Sequence, residues 1–146
     1  MIRTIFIITL LFGFSFVMNS QVKFQTLSFE EGLAQAEQQH KMIFIDVFAV
    51  WCGPCKMLDR DVFPNKELGN YLNAHFINLK IDGDKPENRE IREFFEVDAY
   101  PTLLFIDPTS GNIRKVRGFA DANEVLKEAK YLVNPTTTPT AQAREK

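Results

Sequence analysis

Met42-Ile43-Phe44-Ile45-Asp46-Val47-Phe48-Ala49-Val50 runs directly into Trp51-Cys52-Gly53-Pro54-Cys55-Lys56, and this stretch decides how the rest of the chain is read. The first nine residues are almost continuously apolar, the pattern of a central strand buried on both faces. Asp46 is the one charged residue in that run. Beyond Trp51 the period changes: Cys55 to Val62 reads as a helix that turns Met57, Leu58 and Val62 inward. Pro54 suits the first turn of a helix, where its missing N–H would have no intrahelical partner. Cys52 therefore stands at the mouth of a helix, just after a buried strand.

Working outward, Val22 to Leu27 alternates and predicts a short opening strand. Ser28 with Glu31 forms a capping-box pattern for a helix from Phe29 to about His40, with Phe29, Leu33 and Ala36 on one face. Pro64 interrupts the helix after the cysteines, and a helical turn resumes through Leu68, Tyr71 and Leu72. Phe76 to Ile81 predicts a strand, closed by Asp82-Gly83-Asp84, and Pro86 opens a helix to about Phe95. Leu103 to Ile106 and Ile113 to Val116 flank turn residues and predict a hairpin. Asp121 with Glu124 starts a last helix through Val133. Strands alternating with helices imply a parallel βαβ unit, and the hairpin adds an antiparallel edge. The predicted fold class is α/β, one mixed sheet with helices on both faces.

The 146 residues fit one compact domain, and a 45% hydrophobic content with 14 Phe supplies a core that needs no disulfide staple. Net charge is −2 without a basic cluster, which argues against a nucleic-acid surface. Arg3, the apolar stretch Ile5 to Val17 and the polar Asn19-Ser20-Gln21 have the layout of a secretory signal over residues 1–20, cleaved near Ser20. A retained membrane anchor is the alternative, although the run is short against the roughly 20 residues a spanning helix needs. The domain is expected over 21–134. Residues 135–146 are polar and aperiodic and read as a disordered tail.

Exported chains meet an oxidising compartment, where paired cysteines are usually structural. Cys52 and Cys55 are the only cysteines, and a bridge so short closes a tiny loop and removes little unfolded-state entropy. Chemistry explains the spacing better. Disulfide exchange needs one thiolate to attack and a second thiol to resolve the mixed disulfide. Backbone N–H groups at a helix start stabilise a thiolate at Cys52, and Cys55 lies one turn further in. Other uses fit poorly. Zinc wants four ligands, and His40 and His75 lack ligand spacing. Haem attachment needs His after the second cysteine, where Lys56 stands, and a cysteine-protease dyad leaves Cys55 unexplained. Asp82 to Glu93 echoes a calcium loop but carries Pro86 and Glu87 at its fifth and sixth positions, the latter where Gly is required. No metal site is assigned, and no cofactor beyond the redox-active disulfide Cys52–Cys55. An inert structural bridge remains the alternative.

The run Asp46 to Lys56 resembles the active-site segment of thioredoxins, Tyr100-Pro101-Thr102 resembles their cis-proline loop, and Gly118 matches a family glycine beside it. The similarity spans residues 22–133. Phe48-Ala49-Val50-Trp51-Cys52 and Gly118-Phe119-Ala120-Asp121-Ala122 are more similar to the periplasmic C-terminal domain of transmembrane thiol:disulfide interchange reductases than to cytosolic thioredoxin. The resemblance implies a thioredoxin fold and a nucleophilic Cys52 resolved by Cys55. It implies that Asp46, six residues before Cys52, exchanges a proton with the resolving thiol. A lone carboxylate in an apolar strand is expected to have a raised pKa, which suits that role. It further implies that Pro101 is cis, that Tyr100 pairs backbone groups with substrate, and that Trp51, Gly53, Pro54 and Gly118 border the contact surface. Tyr100 is bulkier than the family's usual aliphatic residue. Where the family often carries a lysine facing the buried Asp, this chain has Asn78; Lys80, on the same strand face, is the candidate substitute.

Gly53-Pro54 is the dipeptide of reducing thioredoxins, so the resemblance implies a reductase of protein disulfides in the periplasm or cell envelope. Its partners would be protein thiol/disulfide substrates and a membrane thiol-electron donor, and it is expected to be a monomer. The alternatives are an oxidase or isomerase, and a thioredoxin-fold binding module whose disulfide is structural.

Overall fold

The computed structural model describes residues 21–135. The signal segment expected over 1–20 and, beyond Pro135, the expected tail lie outside the described residues. Helix α1 (Phe29–Gln39) is followed by strand β1 (Met42–Phe48), helix α2 (Gly53–Met57) and helix α3 (Lys66–His75). Strand β2 (Phe76–Asp82), helix α4 (Arg89–Phe94), the hairpin β3 (Thr102–Ile106) and β4 (Ile113–Arg117), and helix α5 (Ala122–Val133) complete the order. The sheet order is β2-β1-β3-β4, with β1 parallel to β2 and antiparallel to β3, and β3 antiparallel to β4. This is the mixed sheet of the thioredoxin fold, with helices on both faces.

Alternation along β1 divides the core. Ile43, Ile45 and Val47 face α1 and α4, packing with Ala36, Leu33, Ile91 and Phe95. Phe44 faces the other way, toward α3, α5 and the turn after α2, where Phe105, Leu58, Leu72 and Val125 are buried. Asp46 shares the Phe44 face. A strand covered on both sides must be apolar throughout, which is why its single charge stands out.

The boundaries differ from the sequence expectations in four places. The opening strand is not formed. Val22–Leu27 makes one parallel bridge, Gln25 to Leu79, and its other backbone donors go elsewhere: Val22 N–H to the Phe63 carbonyl (2.9 Å) and Lys23 N–H to Asn73 Oδ1 (2.9 Å). The helix at the cysteines starts at Gly53 and widens into a π turn over Leu58–Val62, where Phe63 N–H reaches back to Leu58 (2.9 Å). That winding leaves Met57 exposed while Leu58 and Val62 point inward. β1 stops at Phe48, because Ala49 accepts from Cys52 N–H (3.1 Å) as the chain turns into α2. Pro86 opens only a 3-10 turn over Pro86–Asn88, and α4 itself begins at Arg89 and ends at Phe94.

The starts of α1 and α5 follow the sequence signals. Ser28 Oγ accepts from Glu31 N–H (3.2 Å) while Glu31 returns a carboxylate to Ser28 N–H (2.8 Å), closing the capping box. Asp121 caps α5 by accepting from Asn123 and Glu124. Among the described residues no helix is long and apolar enough to cross a membrane.

Candidate active site

Cys52 and Cys55 are joined as a disulfide, with Cα atoms 5.3 Å apart. Cys52 is the N-cap of α2, and its Sγ accepts from Cys55 N–H at 3.2 Å. A backbone donor aimed at that sulfur is the arrangement that favours a thiolate there. Gly53 and Pro54 are exposed on the rim of the pair, whereas the two cysteines are only 3% and 2% accessible. With Ala49 they form a small buried cluster, against which Phe48 and Tyr100 pack.

Asp46 is wholly buried. Its register partner on β2 is Lys80, and Lys80 Nζ lies 2.7 Å from Asp46 Oδ2. Lys80 also reaches Asp59 Oδ1 at 2.5 Å and sits over the rings of Phe48, Phe24 and Phe63. Lys80 is thus the cation that faces Asp46. Asn78 instead turns to the opening segment, donating to Asn73 Oδ1 (3.0 Å) and the Lys23 carbonyl (3.3 Å). Burial pushes the Asp46 carboxyl up to about 6; Lys80 opposes this and the Asp59 charge adds to it. For Lys80, burial disfavours the charge, but the two carboxylates outweigh it and hold its pKa above the ordinary value. Oδ1 of Asp46 has no hydrogen-bond donor among the described residues, so it is the oxygen free to take a proton.

The second wall is the loop before β3. The Tyr100–Pro101 peptide is cis, and Thr102 Oγ1 donates to the Ala99 carbonyl (2.8 Å) across it. Gly118 N–H donates to the Pro101 carbonyl at 2.7 Å, from a backbone at φ +80° that favours glycine. Tyr100 Oη donates to Asp84 Oδ1 (3.1 Å), and Trp51 Nε1 donates to Asp84 Oδ2 (2.6 Å). The Trp51 and Tyr100 rings meet edge to face, with centroids 6.0 Å apart. Trp51 is 68% exposed, so it belongs to the rim and not to the core beside β1. The structure therefore brings Trp51, Cys52, Cys55 and Tyr100 together at one end of the sheet, with Asp46 on the strand that leads into them.

Two residues escaped the sequence reading. Asp59 lies one helical step of four beyond Cys55, a spacing that would have put it on the same face. Asp84 is in a segment that reads as a turn, and its two partners are far away in sequence.

A family model described as thioredoxin-like matches residues 24–108. The thiol:disulfide interchange protein DsbD of Haemophilus influenzae is 32% identical over 109 residues, covering 71% of this chain and 19% of that protein. The chain thus spans about a fifth of the length of that curated relative. A proposed disulphide-isomerase from Bacteroides thetaiotaomicron is 45% identical with a TM-score of 0.68, covering 79% of this chain and 95% of that structure. The reduced C-terminal domain of Neisseria meningitidis DsbD shares the fold at 18% identity, TM-score 0.59, covering 69% and 90% of the two chains. With a Cys-Gly-Pro-Cys disulfide at the N-terminus of α2 and a cis-proline loop packed against it, the chain belongs to the thioredoxin-like family of disulfide oxidoreductases.

Proposed function

We propose that the chain reduces protein disulfides in the cell envelope and is recharged by a membrane thiol-electron donor. In the reduced protein the Cys52 thiolate attacks a substrate disulfide, forming one S–S bond and expelling one substrate sulfur as a thiolate, which takes up a proton. Cys55 then loses its proton to the Asp46 carboxylate and attacks the Cys52 sulfur. The second substrate sulfur leaves, and two electrons have passed from the dithiol to the substrate. A donor dithiol reverses the oxidation of Cys52 and Cys55. Trp51, Gly53, Pro54, Tyr100, Pro101 and Gly118 border the surface on which substrate would lie.

The observation that carries the reducing direction is what flanks the Cys52 sulfur. It receives one backbone N–H, and the intervening Gly53 and Pro54 supply no cation. An imidazolium there would stabilise the thiolate and make the disulfide a strong oxidant. The similarity to a thiol:disulfide interchange protein supports the choice of thiols and disulfides as the groups acted on. The similarity to a proposed disulphide-isomerase favours isomerisation as the second reading.

Two assays test the proposal. The reduced protein should reduce the disulfides of insulin with turnover in dithiothreitol, and Cys52→Ser should abolish this. Cys55→Ser should accumulate mixed disulfides through Cys52. Faster unscrambling of a misoxidised protein than net reduction would favour the isomerase reading; an unimpaired Cys52→Ser would remove both.

A further inference from the structure

The disulfide is 3% and 2% accessible at its two residues, yet a sulfur that exchanges must be reached from outside. Tyr100 packs against the cysteine cluster, and three features fix its ring there. Its hydroxyl donates to Asp84 Oδ1 and has the Arg92 side chain as a second partner, the edge of the Trp51 indole meets it, and Gly83 leaves it room. A Cβ built on Gly83 would come within 2.6 Å of the Tyr100 ring. Asp84 uses its other oxygen on Trp51 Nε1, so one carboxylate ties together the residue before Cys52 and the residue before Pro101. Both bonds end on oxygens of the same side chain, so neither ring can shift without disturbing the other's anchor.

We propose that Asp84 is a positioning residue that latches Tyr100 and Trp51 as an aromatic gate over the Cys52–Cys55 disulfide, so that the latch sets which thiols reach Cys52. The inference rests on the reading that the pair is exchange-active. The latch acts on access and leaves the chemistry of the sulfurs alone. Releasing it speeds attack on the disulfide and the reverse reaction together, and the equilibrium between oxidised and reduced protein stays where it was. A slim thiol gains little from an open gate, and a bulky one gains more.

The test uses the oxidised full chain with dithiothreitol and, separately, reduced glutathione as attacking thiols. Because Trp51 is the only tryptophan, acrylamide quenching of its fluorescence reads the gate directly. Tyr100→Phe keeps the ring and the charge but loses one arm; Asp84→Ala loses both arms. Each should raise the rate of disulfide reduction about 3- to 10-fold, more for glutathione than for dithiothreitol, with an unchanged reduction potential and stronger quenching. Asp84→Asn keeps an oxygen for Trp51 and an amide for Tyr100, and should remain within about twofold of the parent. Because Asn also removes the charge, equal acceleration by Asp84→Ala and Asp84→Asn would mean electrostatic repulsion of the thiolate and would overturn the latch. Parent-like rates in both Tyr100→Phe and Asp84→Ala would overturn it as well. A parent disulfide that neither thiol reduces would instead refute the exchange-active reading on which the latch depends.

Discussion

Asp46 and Lys80 are direct register partners across the parallel β1–β2 pair, and the Lys80 ammonium closes to 2.7 Å on the Asp46 carboxylate. The cation does not restore an ordinary acidity. Removing the carboxylate from water outweighs the ion pair, and the group is pushed up to about 6. A buried acid poised just below neutral pH can both accept and return a proton during exchange.

That poise makes Asp46 a cost to the fold above its pKa. Between about pH 4 and 6 the folded chain holds a proton that the unfolded chain has released, so stability falls as pH rises through this window and then levels. The shift from 3.8 to about 6 corresponds to roughly 3 kcal/mol. Asp46→Asn should therefore stabilise the protein by about 2–3 kcal/mol at pH 8 and by little at pH 4. Urea unfolding at the two pH values measures the difference; a variant less stable at pH 8 would contradict the assignment.

The same substitution should slow the resolving step. The ionised carboxylate is the form that accepts the Cys55 proton, so the rate should rise with pH through about 6. Asp46→Asn should lose this inflection and run about 10- to 100-fold slower above it. Single-turnover decay of a mixed disulfide at Cys52, followed from pH 5 to 8, gives both values.

Lys80→Met removes the opposing charge while keeping a long apolar stem beside Phe24, Phe48 and Phe63. Asp46 would then titrate at higher pH, and the inflection of the resolving step would move up with it. Carboxyl chemical shifts recorded across a pH series check this directly. An unmoved midpoint would mean that Lys80 does not act on Asp46.

Gly118 holds the cis-proline loop through its N–H to the Pro101 carbonyl, at a positive φ that L-residues adopt at a cost. There is open space where a Cβ would go, so the expected loss in Gly118→Ala is conformational, about 1–2 kcal/mol, without a clash. Denaturant titration reads the loss; unchanged stability would show that the glycine is dispensable.

Local signals were readable in the chain and long-range ones were not. Ser28 with Glu31 announces α1, because both halves of the capping box lie within one turn. The apolar run ending at Trp51 and the Pro54 just inside α2 place Cys52 at a helix start, since each follows from nearest-neighbour backbone physics. Val22–Leu27 has strand alternation but no strand, because Phe63 and Asn73 compete for the donors that a ladder with β2 would use. Lys80 could be placed on the right face by parity alone. Its second bond, to Asp59, depends on how the π turn after α2 is wound, which no local pattern encodes. Asp84 is the same case: a turn residue by composition whose role comes from Trp51 and Tyr100, brought to it only by the folded chain.

The most direct test of the reductase account is the reduction potential of Cys52–Cys55, obtained by equilibrating the protein in dithiothreitol and glutathione redox buffers and quantifying the free thiols. The account predicts a value near the thioredoxin end, around −270 mV, where the pair gives up electrons readily. A value near about −120 mV, that of a dedicated disulfide oxidase, lies roughly 7 kcal/mol away and would contradict it.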